Sequence, residues 1–332
     1  MSRDSASALS PSQQDGDSAS ALSPSQQAWS KRGVLLAPPT GQPWAHSHAA
    51  LPVLRSADGS RTDLYYSPRD RRGRAHIACA HLEVGYDGAL AVLGHDPEPV
   101  LAPGALGTFD DSGVTMSCLA ESEDATLLYY TGWTLGITVP FYFYAGLAIR
   151  PRGQVGFTRV SAAPILERDA TDPYLTASPW VLYDNDTWRM WYVSCTRWER
   201  VQDDVRHYYH LRYAESADGI NWRRAGRVAV DFADEQEYAI SRPCVIRDRD
   251  RYRMWFAARG DRYRLGYAES VDGIQWQRED SCADLSPSDD GWDAEMIAYP
   301  AIADIGGRRY MLYNGNGYGR TGIGYAISEA DG

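Results

Sequence analysis

No apolar run in the 332-residue chain is long enough to span a bilayer, and its N-terminal stretch is polar, without the apolar core of a secretory signal. Those absences predict a cytoplasmic protein. Basic residues are outnumbered, 33 Lys and Arg against 44 Asp and Glu, for a formal net charge of −11. This balance argues against nucleic acid and against a membrane surface as partners, since both need a basic face. Cysteine is sparse. Cys79, Cys118, Cys195, Cys244 and Cys282 form an odd, widely spaced set with no CxxC pair and no metal-finger spacing. They read as small buried apolar residues in a reducing compartment.

Aromatic residues are what the chain has in abundance. Its 22 Tyr and 11 Trp suit half-buried strands and sugar-stacking surfaces better than a helical bundle. An all-β class follows, and all-β domains often run to this length as one unit.

The segment DSASALSPSQQ occurs twice, at Asp4 to Gln14 and again at Asp17 to Gln27. Such a duplication cannot bury enough apolar surface to offset its ordering entropy, so residues 1–27 read as a disordered tail preceding a domain over 28–332. In that domain the segments DLYYSPRD, LLYYTGW, RMWYVSC, RMWFAAR and YMLYNGN each set an aromatic pair or its equivalent before a small polar turn. Taken as register marks, Tyr66, Tyr130, Tyr192, Phe256 and Tyr313 recur at roughly 60 residues. Most copies open on a proline-containing strand, at Pro52, Pro179, Pro243 and Pro300. Strands such as LRYAES and LGYAES follow, then SADGINW or SVDGIQW, whose Asp-Gly makes a tight turn before a Trp strand. Asp218 and Asp272 are turn residues there and read as structural.

Four short strands per unit and five units predict a five-bladed β-propeller. The last copy stops at SEADG, while AWSKRGVLLAP near the start matches NWRRAGRVAV at Asn221. One repeat is thus split between the termini, and the N-terminal strand is expected to complete the last blade and close the ring.

In a propeller, the loops entering the inner strands and the turns after the second strands share one face and converge on a funnel. The entering loops bring His46 and His48, Asp110 and Asp111, Asp172 and Tyr174, Glu237 and Tyr238, and Asp293 and Glu295. The turns add Arg69 and Asp70, Trp133, Arg197 and Trp198, Arg259, and Asn314 with Asn316. Carboxylates, arginines, amides and Trp together suit a sugar, which needs directed hydroxyl contacts and a flat apolar platform. Asp110 in FDDSGV can cap a turn through its own side chain, which leaves Asp111 the better catalytic candidate. Glu237 lies in the acidic run DEQE, and Glu295 lies beside apolar residues, where an idle carboxylate is costly. His46 and His48 alternate and would face one side, but they lack a third ligand, so no metal and no cofactor are expected. Arg242 is expected to pair with a carboxylate or a substrate anion, and Tyr299 and Asn314 complete the substrate-binding set.

The RMWY-type strand, the YAxSxDGxxW turn and the FDxSGV segment resemble the five-bladed propeller superfamily that includes glycoside hydrolase families 32, 43, 62, 68 and 130. The likeness covers residues 28 to 332 and looks closest to bacterial propeller proteins described only as glycosyl hydrolases. It implies an acidic triad, with an Asp directly before the proline of the first inner strand, an acid at the matching place in a later blade, and a Glu two residues before a proline. Those places read Leu51, Ser178, and Ser241 with Arg242. Three functions are therefore carried forward. One is an inverting glycoside hydrolase using displaced carboxylates: Glu295 or Glu237 as acid, Asp111 as base, Arg69, Asp70 and Arg242 orienting the substrate, and Trp133 or Trp198 stacking on it. Another is a lyase, cyclase or phosphorolytic transferase of a biosynthetic pathway, acting on a sugar-like or anionic substrate among Arg69, Arg242 and Arg259. The last is a non-catalytic sugar-binding module.

Overall fold

The alternating aromatic and aliphatic segments form strands throughout a computed structural model, which describes residues 28–58 and 60–329. The expected tail lies outside the described residues. Strand β1 (Ser30–Leu36) comes first. Then β2 (Ser47–Asp58), β3 (Arg61–Arg69), β4 (Ala78–Val84) and β5 (Leu90–His95) pair in chain order. The pattern repeats in β6 (Gly113–Glu121), β7 (Ala125–Leu135), β8 (Phe141–Pro151) and β9 (Thr158–Arg159). It repeats again in β10 (Thr176–Asp184), β11 (Thr187–Val201), β12 (Asp204–Ser216) and β13 (Trp222–Val230). A fourth set holds β14 (Ala239–Asp248), β15 (Arg251–Arg259), β16 (Tyr263–Ser270) and β17 (Gln277–Arg278), tied to the third by one parallel bridge between Tyr209 and Ala239. The final set is β18 (Ala298–Ile305), β19 (Arg308–Asn314) and β20 (Ile323–Glu329), and its outer strand is β1, antiparallel to β20.

The Trp strands explain how neighbouring sets pack. Trp222 meets Tyr129 of the preceding set edge-on at 6.2 Å, and Trp276 meets Trp191 at 5.9 Å. Trp29, just before β1, meets Trp255 at 6.4 Å, so the N-terminal segment does for the last set what the Asp-Gly-x-x-Trp segments do elsewhere. The turn glycines are latched across sets as well: Tyr129 Oη donates to Gly219 O, Trp191 Nε1 to Gly273 O, and Tyr310 Oη to Gly88 O. Asp218 accepts the amides of Ile220 and Asn221, and Asp272 those of Ile274 and Gln275, as turn residues do. All five cysteines are buried and form no disulfide. Among the described residues, no helix is long and apolar enough to cross a membrane.

The first strand of each set carries a β-bulge. In four of them the residue before the proline adopts a left-handed backbone: Leu51 at φ 56°, Ser178 at 46°, Arg242 at 55° and Tyr299 at 59°. An L-residue is strained there, and bulges that re-aim a side chain are typical next to binding sites. Neighbouring sets hold the bulges in place: Leu51 N donates to Asn314 Oδ1, Ser178 N to Thr131 Oγ1, and Met116 N to Ser67 Oγ.

Candidate functional site

The five first strands meet at a cavity of about 370 Å³, to which each contributes a residue: Leu51, Thr115, Ser178, Ser241 and Tyr299. Second and third strands supply Arg69, Trp133, Phe141, Phe143 and Tyr209. Phe141 stacks on Phe143 at 4.3 Å and meets Trp198 edge-on at 5.3 Å, so Trp198 buttresses an aromatic wall without lining the cavity. The Arg69 guanidinium lies 5.9 Å from the Trp133 ring. Burial pushes the Tyr299 phenol well above its ordinary pKa, which keeps its proton in place as a hydrogen-bond donor.

No Asp or Glu lines this cavity among the described residues. The acids of the entering loops are held elsewhere, by a device that the sets share. Buried Asp110 accepts the Tyr130 hydroxyl at 3.1 Å and Arg159 Nε of β9 at 2.8 Å. Asp172 accepts Tyr192 at 2.9 Å and Arg224 of β13 at 2.9 Å, with Arg212 and Ser194 on its other oxygen. Asp293 accepts Tyr313 at 3.1 Å and Lys31 of β1 at 2.8 Å. In the fourth set Phe256 replaces the tyrosine, and Glu237 takes Arg278 of β17 in a two-pronged pair at 2.7 and 2.8 Å. In the first set Tyr66 bonds His95 instead, at 3.3 Å. Asp110, Asp172 and Asp293 thus each tie a loop and a second strand to the outermost strand of their own set.

The three expected catalytic carboxylates are therefore not brought together in the cavity. Glu237 is a clamp. Asp111 folds back on its own loop, accepting Gly107 N at 3.0 Å and Ser112 Oγ at 2.9 Å. Glu295 is exposed and pairs with Arg262 at 2.7 Å. Several expected substrate contacts are likewise occupied within the fold. Asp70 accepts the amides of Arg72 and Arg74 and the Arg74 side chain; burial opposes its charge, but these bonds hold its pKa below the ordinary range. Arg242 is 1 % exposed, and its guanidinium meets the backbone carbonyls of Pro52, Met116 and Ser117 rather than a carboxylate. Asn314 is buried, bonding Ala49 O, Gly322 O and Leu51 N. His46 is exposed while His48 is buried at φ 63°, so the expected alternation onto one side fails at the bulge. Burial, then Arg69 and Arg320, lower the His48 pKa to about 4. Of the expected set, Arg69, Trp133 and Tyr299 line the cavity, and Arg259 stands behind its tyrosines. Missed were Thr115, Phe141, Phe143 and Tyr209, and also Leu51, Ser178 and Ser241, whose places before prolines were legible as seats but not as walls. One group with metal-ligating atoms, Asp63, Cys79 and His81, lies on β3 and β4, where His81 bonds Asp63 and Asp96; it does not line the cavity.

This architecture is that of the propeller-type glycoside hydrolases. A solved "Glycoside hydrolase" superposes with a TM-score of 0.70 at 18 % identity, covering 92 % of this chain and 93 % of its own. A thermostable family-43 glycoside hydrolase superposes at 0.60 and 15 % identity, covering 85 % and 88 %. In sequence, the chain is 43 % identical over 304 residues to the uncharacterized protein MT1551 of Mycobacterium tuberculosis strain CDC 1551, covering 91 % of this chain and 99 % of that one. It is 42 % identical over 304 residues to the uncharacterized protein Rv1502 of strain H37Rv, with the same coverage, and it belongs to the family of these two proteins. No family model matches it.

Proposed function

We propose that the five sets are the blades of a closed five-bladed propeller, with β1 completing the last, and that the axial cavity binds a sugar or sugar-like molecule. The observation that carries this is the lining itself. The hydroxyl-bearing residues Thr115, Ser178, Ser241, Tyr209 and Tyr299 line the same cavity as the flat rings of Trp133, Phe141 and Phe143. Hydroxyls that both donate and accept, beside an apolar platform, suit the edge and the face of a pyranose or furanose ring.

Inverting hydrolysis needs two carboxylates roughly 6.5–9.5 Å apart across the scissile bond. With no carboxylate on the wall, the reading supported best is an enzyme that transforms a sugar without that pair, as a lyase, cyclase or transferase does. The glycoside hydrolase neighbours favour a second reading, hydrolysis with the exposed Glu295 as acid. Incubation with a glycoside panel followed by mass spectrometry separates the two. Saturable binding weakened at least tenfold by Trp133→Ala, without hydrolysis products, is the expected result. Water-dependent cleavage abolished by Glu295→Gln would establish the second reading instead.

A further inference from the structure

The chain is acidic overall, yet its axial cavity is flanked by cations that have no carboxylate partner among the described residues. Arg69 is half-buried on the cavity wall. Burial and a second cation, Arg320, disfavour its charge, and the Tyr299 phenol lies within its field. Arg259 ends β15 on the same face, with its guanidinium 5.2 Å from the Tyr238 ring, 5.5 Å from Tyr263 and 5.8 Å from Tyr318. Its Nε is buried with no hydrogen-bond partner among the described residues. Tyr263 connects Arg259 to the cavity, since its hydroxyl meets that of Tyr209 at 3.0 Å and its ring packs against Tyr299 at 5.9 Å. Tyr299 lies in the field of both arginines.

Desolvating a guanidinium without an anion is unfavourable, and the clamps show that this fold readily supplies carboxylates to arginines where none is to come from outside. Planar guanidinium forks beside a neutral phenol donor match a carboxylate or a phosphate. We propose that the sugar taken by this cavity carries such an anionic group, recognised by Arg69 and Arg259 with the Tyr299 hydroxyl beside both. This rests on the sugar reading above and specifies its substrate class.

The test is calorimetric titration of the full chain with gluco, galacto and manno sugars, each as neutral hexose, uronic acid and 6-phosphate, and with inorganic phosphate. At least one acidic form should bind tenfold or more tightly than its neutral parent, and which form does so distinguishes carboxylate from phosphate. Arg69→Gln or Arg259→Gln should bring that ratio to near one, and Arg69→Lys, which keeps charge but loses the fork, should fall between. In the wild type, the bound acid should raise the His48 pKa from its value of about 4, seen by NMR, because Arg69 helps to depress it. Neutral and acidic sugars binding alike would overturn the anion proposal and leave the sugar reading standing. Phosphate alone binding as tightly as every 6-phosphate would overturn the sugar reading, and no binding by any probe would overturn both.

Discussion

The carboxylates of the entering loops and the arginines around the cavity share one face of the molecule and meet opposite fates. Asp110, Asp172, Asp293 and Glu237 are each neutralised by a cation from the outermost strand of their own set. Arg69 and Arg259 meet aromatic rings instead. In the first region charge is neutralised within the fold; in the second it has no carboxylate partner among the described residues, which is what the proposed anion would supply. An acid in a loop that enters a first strand is thus no guide to chemistry in this fold until its cation has been found.

The contrast breaks most visibly at Asp172. Asp172→Asn leaves Arg212 and Arg224 without their shared carboxylate in a site that is 0 % exposed. Breaking a buried pair of this kind costs about 3–5 kcal/mol, which lowers the melting temperature by roughly 5–8 °C. Arg69→Gln, removing a cation that has no such partner, should leave the melting temperature unchanged or raise it. Differential scanning calorimetry of the two variants decides the matter, and equal losses would erase the distinction.

A pH series gives an intermediate effect. Burial, followed by nearby arginines, lowers both His48 and His207 to about 4. An unfolded histidine titrates near 6.5, so between about pH 6.5 and pH 4 the unfolded chain binds protons that the folded chain refuses. These two groups therefore leave stability intact above pH 6.5 and erode it as pH falls toward 4. The urea midpoint should drop across that window, and His48→Asn should flatten part of the slope. The smallest effect belongs to Glu295→Gln, which severs an exposed pair with Arg262 and should shift stability by no more than about 0.5 kcal/mol in urea titrations.

The repeat was legible because its marks have a shared physical task. Tyr130, Tyr192 and Tyr313 each bond an acid twenty positions earlier, so aromatic and acid recur together. The partner cations were not legible, since Arg159, Arg224, Arg278 and Lys31 lie 49, 52, 41 and 262 positions from their acids. Without them, Glu237 read as a free carboxylate. The cavity shows the reverse. Leu51, Ser178 and Ser241 read as seats from which a triad was missing, yet a residue near the proline bulge lines the cavity whatever its chemistry. The aromatic wall escaped because FYFY and HYYH carry none of the repeat's marks; the length of the β7–β8 and β11–β12 hairpins carries Phe141 and Tyr209 to the cavity.

The pairing of Ser30 with Ile327 has a consequence for how the molecule comes into being. The four described sets lie between β1 and β20 in the chain, so the ribosome delivers the latch long before its keeper. Until then β1 has no ladder to join, and Asp293, once made, waits on Lys31, the chain's single lysine, to swing in from the far end. Assembly of the last sheet therefore waits until β20 is made and carries a large loop-closure penalty.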